Sequence, residues 1–112
     1  AYEYDALDDY PDFIFPCARA VASDPLSRGV ILGGSGQGEA MAANRVKGVR
    51  AAVFYDGPIN IIKLSREHNN ANILSIGARF MSEDEIRSVL DVWFNEPFGG
   101  KRHQRRIDKL DL

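Results

Sequence analysis

The chain is poor in cysteine, in long apolar runs and in net charge. Its one cysteine, Cys17, cannot form a disulfide within the chain. That suits a reducing compartment, and the cytoplasm is the expected location. Cys17 stands in an apolar run and reads as a small core residue rather than a reactive thiol. No apolar stretch approaches the ~20 residues that a membrane-spanning helix needs, and no secretory-leader pattern appears. A membrane partner is therefore not expected. The formal charge is −2, so the chain as a whole has no electrostatic pull toward nucleic acid.

What is present is an ordinary globular composition in 112 residues, enough for one domain around one core, expected to span residues 1–112. The small net charge hides an asymmetry. Residues 1–12 carry Glu3, Asp5, Asp8, Asp9 and Asp12 and no cation, whereas residues 101–106 read Lys-Arg-His-Gln-Arg-Arg. The chain opens on Ala1, in mid-pattern, so a natural start upstream is expected.

Three continuous apolar runs predict buried strands: Gly29 to Leu32, Val49 to Tyr55 and Ile73 to Ile76. Helices are predicted before, between and after them. Tyr10 to Ser23 has Pro11 near its start, with a kink or late start expected at Pro16. Gly38 to Val46 and Pro58 to Glu67 follow. Ser82 to Asn95 opens on a capping box, Ser82 with Glu85, and carries an apolar stripe of Ile86, Val89, Leu90, Trp93 and Phe94. Lys101 to Leu110 reads as a last helix with Ile107 and Leu110 facing inward. Alternating strands and helices indicate an α/β fold with a parallel sheet.

Between the first strand and the second helix lies Gly33-Gly34-Ser35-Gly36-Gln37-Gly38-Glu39. Such a turn offers backbone amides to an anionic oxygen, a phosphate or a developing oxyanion. No Gly-Lys-Ser/Thr follows it, and its spacing departs from the dinucleotide fingerprint. A plain tight turn is the alternative. Glu39, in the first helical turn, is either a partner of the helix dipole or a general base beside those amides. Glu67-His68-Asn69-Asn70-Ala71-Asn72 suits a polar turn, in which His68 is either solvated or a proton carrier. Arg79 follows the third strand. Arg102 and Arg106 share a helical face, and the guanidinium fork suits phosphate. The basic patch is small and lacks interleaved aromatics, which argues against nucleic acid.

Taken in order, these motifs resemble the ribose-5-phosphate isomerase B and galactose-6-phosphate isomerase family. The resemblance runs from Asp8-Asp9-Tyr10-Pro11-Asp12 through Gly33 to Glu39, Ala42 to Arg45, Gly48 to Ala52, His68 to Asn72, Gly77-Ala78-Arg79 and Arg102 to Arg106. It implies a Rossmann-like three-layer α/β/α sandwich with a parallel sheet. It also implies a homodimer or dimer of dimers with the active site between subunits, a phosphorylated sugar substrate, and no metal or nucleotide cofactor. The activity it implies is interconversion of ribose 5-phosphate and ribulose 5-phosphate. Galactose, allose or tetrose phosphates are alternative substrates, and a non-catalytic partner subunit is an alternative role.

Residue by residue, the resemblance makes Glu39 the base, in place of a cysteine that many members carry at the position of Gly33. Ser35 corresponds to the proton relay and His68 to the ring-opening histidine. Gly34, Gly36 and Gly38 form the enediolate-binding loop. Asn69 and Tyr10 line the sugar pocket, and Arg79, Arg102 and Arg106 bind phosphate. Members begin with a strand, helix and strand that bear an Asp-His pair, and this segment is expected to be missing from the chain.

Overall fold

A computed structural model describes residues 5–111, so Glu3 lies outside the described residues. Three strands, β1 (Gly29–Gly33), β2 (Ala51–Phe54) and β3 (Ile73–Gly77), form a parallel sheet in the order β1-β3-β2. Helix α1 (Pro11–Ser23) precedes β1. Helix α2 (Gln37–Ala43) links β1 to β2, and α3 (Asn60–Glu67) links β2 to β3. After β3 come a 3-10 turn at Ala78–Phe80, α4 (Glu83–Asn95) and α5 (Arg102–Ile107).

The sheet is covered on both faces, which makes the expected three layers. Ile14, Ala18 and Val21 of α1 and Ala42 and Ala43 of α2 pack with Ile31 and Ile73 on one face. Ile62 of α3 and Val89 and Trp93 of α4 pack with Phe54, Leu74 and Ile76 on the other. Full burial of one such large side chain contributes roughly 1.5–3 kcal/mol. Helix α4 starts where the sequence indicates. The Glu85 N–H donates to Ser82 Oγ at 3.1 Å, and the Ser82 N–H donates to Glu85 Oε1 at 3.2 Å.

Only the central strand β3 is buried along its whole length. On the edge strand β1, Leu32 is 59% exposed, so the expectation of strands covered on both faces holds for β3 alone. Helix α1 runs from Pro11 without the late start expected at Pro16. Pro16 and Asp12 are both exposed, so the carbonyl deprived of its donor faces water. Cys17 is half-buried beside Gly29, and burial pushes its thiol pKa up. Leu110 does not face inward: α5 ends at Ile107, and Leu110 lies in the turn beyond, 67% exposed. Among the described residues, no helix is long and apolar enough to cross a membrane.

Candidate active site

β1 and β3 end side by side, with Gly33 in register with Gly77. The glycine loop leaves β1 at this point and bends over the end of the sheet into α2. Gly36 makes the bend, with φ +77°. A side chain there would press on the backbone of Ile76 and Gly77 and on the Ser75 hydroxyl. The Gly36 carbonyl accepts the Ala40 N–H at 3.1 Å and the Ser75 hydroxyl at 2.6 Å. Ser35 Oγ accepts the Gln37 N–H at 3.2 Å.

Glu39 points back from the first turn of α2. A Cβ placed on Gly33 would overlap its carboxyl carbon and oxygens. The half-buried carboxylate thus rests against the end of β1 instead of turning into the core. The Tyr10 hydroxyl lies 2.6 Å from where a Cβ on Gly38 would be. Arg79 holds the other side of the loop. Its N–H donates to the Gly34 carbonyl at 3.1 Å, and its Nη2 is 2.9 Å from a Cβ position on Gly34. Tyr10, Gly34, Ser35, Gly36, Gly38, Glu39 and Arg79 are therefore gathered at the carboxyl end of the sheet, where ligands of open α/β sheets bind.

His68, Asn69, Arg102 and Arg106 are not. His68 closes the carboxyl end of α3 and leads into the amino end of β3. Its ring stacks on His103 of α5, centroids 4.3 Å apart and planes 16° from parallel. The Gly99 N–H donates to the Glu67 carbonyl at 2.9 Å, which holds the start of α5 against the end of α3. His68, Asn69, His103 and Arg106 line a cavity of about 210 Å³ with Ile107 and Leu110. Asn70, next along, takes the left-handed conformation that the asparagine-rich turn suggested, φ +45°. Burial pushes the His103 pKa down. His68, Arg102 and Arg106 push it the same way, and Glu67 opposes them. His68 Nε2 is 3.9 Å from Glu67 Oε1 at the surface, a pair of little energetic weight.

The expected arginine set is thus divided. Arg79 stands by the glycine loop, and Arg102 and Arg106 stand by the His68 turn. The length of β3 separates the two groups within one chain, roughly 13 Å at 3.3 Å per residue. Two residues escaped the sequence reading. His103 is the only other histidine besides His68, which was its signal, and Ser75 is the one polar residue in an apolar strand.

A third feature, a cavity of about 530 Å³ between α2 and the edge strand β2, is lined by Gln37, Ala40, Met41, Val53, Tyr55 and other residues. It adjoins the loop through Gln37 but contains neither Glu39 nor the histidines.

Residues 1–110 match the Ribose/Galactose Isomerase family. The chain is 44% identical over 111 residues to ribose-5-phosphate isomerase B of Mycolicibacterium paratuberculosis, covering 98% of this chain and 69% of that protein. It is equally identical to the enzyme of that name from Mycobacterium tuberculosis, covering 67% of its length. Among solved structures, ribose-5-phosphate isomerase B of Mycoplasma genitalium with bound ribulose-5-phosphate superposes with a TM-score of 0.90 at 41% identity. That superposition covers 98% of this chain and 72% of the other. The type B enzyme of Trypanosoma cruzi gives a TM-score of 0.90 at 40% identity, covering 99% and 71%. On the strength of that agreement in sequence and backbone, the chain belongs to the Ribose/Galactose Isomerase family.

Proposed function

We propose that this protein is an aldose–ketose isomerase that interconverts ribose 5-phosphate and ribulose 5-phosphate through an enediolate. The observation that carries the reading is the Glu39 carboxylate, lying against Gly33 at the lip of the glycine loop. A base beside a bend of backbone donors suits proton abstraction next to a carbonyl.

Glu39 takes the proton from C2 of the open-chain aldose, and the electron pair moves to form the C1–C2 double bond and negative charge on O1. Loop N–H groups hold that charge. The Ser35 hydroxyl, its oxygen already occupied by the Gln37 N–H, passes the proton from O2 to O1. Glu39 then returns its proton to C1, and the ketose carbonyl forms at C2. General-base catalysis of this kind contributes about 10²–10⁴-fold, and each oxyanion donor about 10²–10³-fold.

The reading also requires a second copy of the chain. His68 and Asn69 for ring opening and sugar contact, and Arg102 and Arg106 for phosphate, lie at the amino end of β3. The length of β3, roughly 13 Å, stands between them and a 5-phosphate sugar held at Glu39 in one chain. In a dimer, the loop end of one protomer faces the His68 end of its partner, and each site draws on both. Tyr10 lines the sugar pocket, and Arg79 adds a cation from the loop side.

A coupled assay for ketose formation tests the activity. Glu39→Gln should lose at least about 10²-fold in kcat and retain binding of the sugar phosphate. Near-normal turnover by Glu39→Gln would overturn the assignment of the base. Faster turnover of galactose or allose 6-phosphate than of ribose 5-phosphate would overturn the substrate.

A further inference from the structure

The central strand carries a polar residue that packing does not require. β3 reads Ile-Leu-Ser-Ile-Gly, and Ser75 in its middle is 0% exposed. Its hydroxyl donates to the carbonyl of Gly36 at 2.6 Å, across 39 positions of sequence. That carbonyl already accepts the Ala40 N–H, the first bond of α2, so the serine is not there to rescue an orphaned acceptor. A trans peptide points its C=O and its N–H in opposite directions. The Gly36–Gln37 unit therefore sends its oxygen down to β3 and its N–H the other way, where Ser35 Oγ accepts it at 3.2 Å.

We infer that Ser75 is a positioning residue for the isomerisation: through one peptide plane it fixes the hydroxyl of Ser35 at the reacting end of the sugar. The inference rests on the activity and on the Ser35 role proposed above. Hydrogen bonds in series polarise one another, so the bond from Ser75 strengthens the donation from Gln37. With one lone pair taken by the Gln37 N–H, the Ser35 hydroxyl keeps its proton for O1 and its second lone pair for the proton arriving from O2. Ser75 itself, buried in the strand, touches no substrate.

The test is a double-mutant cycle in the full chain. Ser75→Ala should lower kcat about tenfold, the size of one lost hydrogen bond, with KM nearly unchanged. In a Ser35→Ala background the same change should leave the residual kcat unaltered. Ser75→Cys, close in shape and a weaker donor, should fall between, and it serves in the cycle where the alanine variant folds poorly. A kcat equal to that of the parent, or an equal loss in both backgrounds, would overturn the inference and leave Ser75 a packing residue. The Gln37 amide reads the same linkage without turnover: its hydrogen exchange should quicken in Ser75→Ala, and unchanged exchange would also overturn it. A parent chain inactive on pentose phosphates would instead count against the proposed activity, and the exchange result would still decide whether Ser75 holds the peptide.

Discussion

The Glu39 carboxylate fills the space in which a side chain on Gly33 would stand. The two positions are six apart in sequence, and the Gly36 bend folds one over the other. A side chain at 33 and the Glu39 carboxylate cannot both occupy that point, so any residue larger than glycine at 33 requires the carboxylate to move.

Gly33→Ala should therefore be a catalytic lesion more than a folding one. The added methyl drives the carboxylate off its seat, and a displacement of about 1 Å at a reacting group costs roughly 10²-fold in rate. Measured kcat should fall by that order while the thermal midpoint changes little. An alanine variant with parental kcat would show that the carboxylate works from elsewhere.

Arg106 gives the phosphate prediction. In Arg106→Ala, KM for ribose 5-phosphate should rise about 10–100-fold, since a hydrogen bond to a charged group contributes roughly 1.5–3 kcal/mol. Binding of unphosphorylated ribose should not change. Steady-state kinetics and ribose titrations decide this, and an equal loss for both sugars would remove Arg106 from the phosphate site.

His103 gives the pH prediction. Its folded pKa lies below the ordinary histidine value of 6.5, through burial first and then through His68, Arg102 and Arg106. Between the two values the unfolded chain binds more protons than the folded one, so stability falls as pH drops below 6.5. His103→Gln should flatten that part of the stability profile in urea titrations between pH 7 and 5. An identical slope in the variant would contradict the shift.

Much of this was legible in the residues, and what was not has physical reasons. The capping box at Ser82, the apolar stripe of α4 and the glycine loop are local patterns, and local hydrogen bonding and periodicity read them directly. The order β1-β3-β2 is not local, so nothing in the runs themselves marked β3 as the strand buried from end to end. Leu110 looked like a core residue by spacing, but α5 ends too soon to turn it inward. The pairing of His68 with His103 joins residues far apart in sequence, in a region where the Gly99 N–H also bonds the Glu67 carbonyl, and neither contact is marked by a local pattern. Ser75 falls within an apolar run, and its partner, Gly36, lies on another element, so its role is invisible in the strand itself. The division of Arg79 from Arg102 and Arg106 appears only when the two ends of β3 are distinguished.

The division of the candidate site between the two ends of β3 is tested most directly by complementation. One variant, Glu39→Gln, damages the loop end, and a second, His68→Ala with Arg106→Ala, damages the other. Each alone should be nearly inactive. Unfolded together in equal amounts and refolded, they should recover about a quarter of the parental sites, because random pairing gives half mixed dimers with one intact site each. No recovery beyond the sum of the separate variants would contradict a site shared between two copies.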